Sequence, residues 1–243
     1  MSLIGALVHR FGRFYITEIC RREFESEHAG PVAINERPVE YRFVFEQLLR
    51  TAPTSVLDVG TGMTALPHLL QTCGYHVTAI DNVRDFGEQG TFNRHFYVIH
   101  DDITNPSRVT SKFDFITCIS VLEHIPAHED AVNAMLERLE TGGHLAMTFP
   151  YNESQYVNNV YELPAAAYGK DKPYVCQVYS RSELSRWLAK TDSQWVQQEY
   201  WQMFTGEFWT MGERLAVPKQ VTQHDRHHLS CVLIRKATRA AAL

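Results

Sequence analysis

Val56-Leu57-Asp58-Val59-Gly60-Thr61-Gly62-Met63-Thr64-Ala65 is the stretch whose reading decides the fold, and Val77-Thr78-Ala79-Ile80-Asp81 answers it. An apolar, β-branched run ends at a glycine turn, a helix is expected at Ala65 to Cys73, and a second apolar run at His76 to Ile80 ends in an acid. A strand, a tight turn and a helix in this order present backbone N–H groups to a ligand, as in half of a nucleotide-type α/β fold. Such a unit binds a cofactor at the carboxyl ends of its strands.

Outward from this stretch the alternation continues. Apolar strands are expected at Phe96 to Ile99 and Phe113 to Ile119, followed by a helix at His128 to Leu139 with Gly142-Gly143 as its stop. A fifth strand follows at Gly143 to Phe149, a helix at Arg181 to Lys190, and strands at Ser193 to Phe204 and Leu229 to Arg235. Continuous apolar runs separated by helices specify a parallel sheet covered on both faces. Two stretches lose the pattern: 150–179, which is rich in aromatic and Asn residues, and 205–228, which holds Phe208, Trp209, His224, His227 and His228. Residues 1–52 read as a helical lead-in broken near Gly30-Pro31, residues 53–243 as the cofactor domain with the two excursions, and Lys236 onward as a frayed tail.

At 243 residues with 44% hydrophobic and 21% charged side chains, the chain has the composition of an ordinary globular protein. A net charge of -5 gives no electrostatic reason to expect nucleic acid as a partner. Five widely spaced cysteines without a CxxC pair argue against a disulfide framework or a zinc site and for reduced thiols, hence a cytoplasmic location. No run reaches the roughly 18 apolar residues of a membrane span. In the opening helix Leu3, Leu7, Phe11, Phe14 and Ile19 recur among Arg10, Arg13, Arg21 and Arg22. This helix is expected to pack on its own domain; contact with a membrane or a partner is the alternative.

Gly60-Thr61-Gly62-Met63-Thr64-Ala65 fits the GxGxx[GA] pattern of dinucleotide binders, so a nicotinamide cofactor is one reading. Asp58 argues for another: an acid two residues before the first glycine suits a ligand's ammonium group and repels a pyrophosphate. Asp101-Asp102-Ile103 after the third strand offers a carboxylate and a backbone N–H to adenine. The fourth strand then runs into Ser120-Val121-Leu122-Glu123-His124-Ile125. Over about residues 54 to 150 the sequence resembles the class I S-adenosylmethionine-dependent methyltransferases, with Thr64 where their first motif often has a third glycine. The resemblance implies a seven-stranded, mostly parallel Rossmann-like sheet with helices on both faces, the seventh strand antiparallel. It further implies that Asp58, Gly60, Thr61 and Gly62 hold the methionine end of S-adenosylmethionine, Asp81 the ribose and Asn82 the neighbouring edge. Asp102 with Ile103 would hold the adenine, and Ser120 would border the cofactor.

Methyl transfer from a sulfonium is an in-line displacement, and a hydroxyl acceptor also needs a base. His124, at the carboxyl edge of the sheet, is the first candidate base with Glu123 beside it; capping or packing the next helix is the other role open to it. His124 and His128 sit four apart, but Pro126 lies between them, and no metal is expected. Tyr151, Asn152 and Glu153 leave the fifth strand at the same edge and suit a polar acceptor. Arg37 or Tyr41, in the polar lead-in to a helix, would close over the cofactor's carboxylate, a plain helix start being the alternative. The expected activity is methyl transfer to a small polar acceptor, an O- rather than an N-methyltransferase, acting on a hydroxyl of a sugar, glycan or secondary metabolite. The alternatives are a non-catalytic binding subunit and a nicotinamide oxidoreductase.

Overall fold

The computed structural model describes residues 3–27, 35–82, 93, 95–189 and 191–237, with backbone alone at 19–20 and 22–27; the expected break near Gly30-Pro31 lies outside these. The chain divides into two units, Met1–Glu36 and Arg37–Leu243. In the first, α1 (Leu3–Glu27) forms the expected helix, and Leu3, Ile4, Leu7, Val8, Phe11 and Phe14 on it are exposed.

The second unit opens with α2 (Arg37–Thr51) and carries one sheet of eight strands: β1 (Ser55–Val59), β2 (His76–Asp81), β3 (Val98–His100), β4 (Phe113–Ile119), β5 (Leu139–Pro150), β6 (Ser193–Phe204), β7 (Arg214–Val221) and β8 (Leu229–Lys236). Their order is β3-β2-β1-β4-β5-β8-β6-β7, with β1 to β5 mutually parallel and β8 antiparallel to both β5 and β6. The chain steps outward from β1 to β2 and β3, then returns to β4 on the other side of β1. This reversal opens a crevice beyond the carboxyl ends of β1 and β4, where open α/β sheets bind ligands.

The period-2 side-chain geometry of the strands sorts the core. Leu57, Val59, Ile116, Cys118, Leu145 and Met147 pack on one face against α4 (His128–Arg138) and α5 (Arg181–Ala189), through Val132, Met135, Leu184 and Trp187. Val56, Phe115 and Ala146 face the other way, onto Phe43, Val44 and Leu48 of α2 and Leu66 and Leu70 of α3 (Leu66–Thr72). Neither set survives in water alone, so the sheet and its two helical layers form together.

Three expectations need correction. The sheet has an eighth strand: β7 lies inside the second excursion and pairs with β6 as the edge. Pro218 disguises it, and an edge is where a strand tolerates proline, because the missing N–H faces no partner. Gly142-Gly143 does not stop α4, which ends at Arg138; Leu139 is already extended and opens β5. Lys236 is no frayed tail but the end of β8, and its ammonium donates to the Leu136 and Leu139 carbonyls at 2.7 and 2.9 Å, closing the carboxyl end of α4.

Candidate functional site

The turn after β1 is built from backbone. Gly60 N–H donates to the Ile80 carbonyl at 2.8 Å, with φ of +73°. A Cβ there would meet the Val121 side chain at 2.3 Å, so both conformation and space demand glycine. Gly62 also has positive φ, +54°, but above it lies open space, which leaves its backbone approachable by a ligand. Its N–H donates to Asp81 Oδ2 at 2.5 Å, tying the turn to the acid that ends β2.

Asp58 is 2% exposed. The parallel register sets it beside Thr117 of β4, whose hydroxyl donates to Oδ1 at 2.7 Å, while Thr61 donates to Oδ2 at 2.7 Å. Burial pushes its carboxyl up to about 6, against the two threonines and Arg37, which lower it. A carboxylate this poorly solvated is stabilised by any cation brought beside it. It lines a narrow cleft with Gly60, Thr64, Ile119, Arg37 and Tyr41.

Arg37 is held at that cleft by a buried acid. Glu40, fully buried, accepts from Arg37 Nη1 at 2.9 Å, Ser120 Oγ at 2.5 Å and Thr148 Oγ1 at 2.7 Å. Arg37 Nη1 also donates to the Ile119 carbonyl at 3.0 Å. Ser120, the first residue after β4, has φ of +50°, a strained conformation that Glu40 and the Thr148 main chain hold in place. Tyr41, one residue on, hydrogen-bonds the Thr64 side chain, and burial raises its phenol. Sequence reasoning passed over Glu40, although Phe43, Val44 and Gln47 at helical spacing place it in the buried stripe of α2. It also missed Asn93, whose amide nitrogen donates to the Gly62 and Thr64 carbonyls, both at 2.9 Å. No sequence pattern marks that residue.

The two acids after β3 separate. Asp101 is buried and turned inward: burial alone would raise its carboxyl, but main-chain N–H groups of Ser107, Val109, Arg108 and Asp102 bring it down to about 2. Asp102 is exposed and accepts from Thr104 N–H at 2.9 Å, while Ile103 is buried in the core. Asn82, half-buried, follows Asp81 directly. Asp58, Gly60, Gly62, Asp81 and Asp102 thus follow one another around the carboxyl ends of β1, β2 and β3. The crevice offers a buried acid, an arginine, a glycine turn and a second acid at the next strand end, groups suited to a ligand that carries an ammonium, a carboxylate and hydroxyls.

His124 lies in the one-turn helix Leu122–His124 that follows β4. Its Nδ1 is 2.7 Å from the Val175 carbonyl, an acceptor only, so Nδ1 carries the proton and the neutral ring presents its lone pair at Nε2. The side chain is 33% exposed, and Nε2 is 4.0 Å from Glu123 Oε1. Burial, with Arg37 nearby, pulls its imidazole below the ordinary value while the Val175 bond opposes this. The first excursion supplies that carbonyl and is stitched to the same turn. Gln177 N–H donates to the Glu123 carbonyl at 2.9 Å, Gln177 Nε2 to the Ile125 carbonyl at 2.8 Å, and the Tyr179 hydroxyl to the Leu122 carbonyl at 2.7 Å. His128 is not brought alongside: its Nδ1 accepts from Trp187 Nε1 at 3.1 Å inside an aromatic cluster with Tyr179.

Beyond β5, Tyr151 is buried, and its hydroxyl donates to Glu153 Oε2 at 2.9 Å. Glu153 is clasped by Arg181 through Nε at 2.9 Å and Nη2 at 3.1 Å, and Arg181 reaches on to Tyr200 at 2.7 Å. His227 stacks on Tyr151 at 5.4 Å. Asn152 instead caps its own turn, accepting from Ser154 and Gln155 N–H at 3.1 Å. Of the aromatics in the excursions, Tyr161 and Trp209 are buried in the core and Tyr168 is 44% exposed. In the last histidine cluster, His228 is fully buried and bonds the Gly206 carbonyl.

A doubly wound sheet with a glycine turn and acids at successive strand ends defines a Rossmann-like class I methyltransferase. Residues 35–198 match a family described as a methyltransferase domain, and the chain belongs to that family, the S-adenosylmethionine-dependent methyltransferases. A ubiquinone biosynthesis O-methyltransferase of Coxiella burnetii is 28% identical over 163 residues, 62% of this chain and 67% of its own. Among solved structures, the fold resembles the 1,6-didemethyltoxoflavin N1-methyltransferase of Burkholderia thailandensis (TM-score 0.55, 14% identity, 94% of this chain and 90% of that one). It also resembles an S-adenosylmethionine-dependent methyltransferase from Clostridium acetobutylicum (TM-score 0.52, 14% identity, 95% and 99%). The chain is an S-adenosylmethionine-dependent methyltransferase, and no helix among its described residues is long and apolar enough to cross a membrane.

Proposed function

We propose that the enzyme methylates a phenolic hydroxyl of a small acceptor, with His124 as the base. The observation that carries this reading is the Val175 carbonyl, which holds the proton on Nδ1 and leaves Nε2 as the basic nitrogen. Bound S-adenosylmethionine supplies an electrophilic methyl carbon on a sulfonium. The acceptor oxygen would take the methyl as the S–CH3 bond breaks to leave the neutral thioether, Nε2 would take the hydroxyl proton, and Glu123 Oε1 at 4.0 Å would stabilise the imidazolium. A histidine made less basic by burial is matched to a phenol, with a pKa of about 10, far better than to an aliphatic alcohol of a sugar. That the Coxiella relative is an O-methyltransferase supports the same choice over an amine.

In this reading Arg37 clamps the cofactor's carboxylate with Tyr41 beside it, and Asp58 faces its ammonium across Gly60, Thr61 and Gly62. Asp81 takes the ribose hydroxyls with Asn82 beside them, and Asp102 with Ile103 takes the adenine. Ser120 borders the site as the strained link between β4 and Glu40. Tyr151 and Glu153 shape the acceptor side through the Arg181 clasp, and Asn152 through the turn it caps. The domain of residues 53–243 carries the chemistry, and the lead-in of 1–52 lends it Arg37 and Tyr41.

Transfer of a labelled methyl group to phenols, sugars and amines tests the proposal. Phenols are expected to be methylated, and His124→Gln to lower kcat by about 100-fold or more while S-adenosylhomocysteine affinity stays within threefold. Transfer to amines alone, or full phenol turnover by His124→Gln, would overturn it.

A further inference from the structure

Between Leu3 and Thr17, α1 holds two arginines, Arg10 and Arg13, a histidine and no acid, in a chain whose net charge is -5. At about 100° per residue, Leu3, Ile4, Leu7, Val8, Phe11, Phe14 and Tyr15 fall on one side of the helix. All seven are 59 to 83% exposed. Arg10 borders this face next to Leu3 and Leu7, with Arg13 and His9 behind it. The first acid, Glu18, is held by Arg21 at 2.7 Å. So large an exposed apolar surface is costly in water. Two phenylalanines among leucines on one side and arginines on the other is the arrangement of a helix lying in a bilayer interface.

We infer that α1 docks on an anionic lipid surface, lying in its plane with Leu7, Phe11 and Phe14 among the acyl chains and Arg10 and Arg13 at the lipid phosphates. The charge selects this occupant over a second copy of the chain. Two helices packed through this face would bring four arginines to one seam with no acid before Glu18 to offset them, whereas a sheet of lipid phosphates pairs with each. Long arginine stems reach up past the apolar face to the headgroups while the aromatic rings stay below.

Co-sedimentation of the full chain with phosphatidylcholine vesicles, with and without phosphatidylglycerol, tests this. Binding is expected to the phosphatidylglycerol vesicles, to fall at least about tenfold in Arg10→Glu/Arg13→Glu and in high salt, and to vanish in Leu7→Asp/Phe11→Asp. S-adenosylhomocysteine affinity, read by calorimetry in the same variants, is expected to be unchanged and reports an intact fold. Equal binding to neutral vesicles, no binding to either, or a dimer that Leu7→Asp/Phe11→Asp dissolves while vesicle binding is absent would each overturn the inference.

Discussion

Asp58 is sealed from water with each oxygen committed to a threonine, and its ionisation is therefore costly until a cation arrives. Its folded-state pKa of about 6 stands above the ordinary 3.8, so the folded chain holds this proton more tightly than the unfolded one. Stability from this group falls as pH rises from 3.8 to 6 and is lost in full above that. Cofactor binding has the opposite slope, because an ammonium beside Asp58, which also feels Arg37 and Asp81, favours the carboxylate. Affinity for S-adenosylhomocysteine should hold steady above pH 6 and weaken by up to about tenfold per unit below it. In Asp58→Asn, calorimetry should find weaker binding at neutral pH and a flattened slope. Asp58 was legible as an acid at the turn with Thr61 close by, but its bond to Thr117 depends on register with β4, which no local pattern reveals. His124 was legible by its place after β4. What fixes its tautomer is Val175, 51 residues on in an irregular stretch.

At the scale of elements, the proposed reading makes α2 a cofactor element as well as a packing helix. Phe43, Val44 and Leu48 seat it on the sheet, and Glu40 locks its first turn to Ser120 and Thr148, which sets where Arg37 stands. Glu40→Gln keeps the shape but weakens three charge-assisted bonds, each contributing about 1.5–3 kcal/mol. A lower melting temperature is expected, with S-adenosylhomocysteine affinity falling about tenfold as Arg37 loses its anchor. Unchanged affinity, measured by calorimetry, would separate Arg37 from the cofactor. The strands β1 and β4 could be read to the residue from their apolar runs, because buried parallel strands leave little room for polar residues. β7 could not: half of its residues are exposed and none is buried, Pro218 interrupts it, and only pairing with β6 makes it a strand.

For the whole molecule, the doubly wound topology gathers the candidate residues along one edge, with the Asp58 cleft at β1 and β4, His124 after β4, and the Glu153–Arg181 clasp beyond β5. The excursion 150–179 reads in sequence as mere loss of pattern, yet its bonds to Leu122, Glu123, His124 and Ile125 make it the scaffold of the proposed base. Such contacts are long-range and irregular, which is why the fold was more legible than the acceptor site. The account as a whole stands on acids at successive strand ends holding S-adenosylmethionine, and Asp81 is the one whose loss removes bonds to the ligand most directly. The decisive measurement is calorimetric titration of the wild type and Asp81→Ala with S-adenosylhomocysteine and with NAD. The account predicts binding of S-adenosylhomocysteine but not NAD by the wild type, and at least about tenfold weaker binding by a folded Asp81→Ala. Equal affinity in the two proteins, or tight NAD binding without a response to S-adenosylhomocysteine, would contradict it.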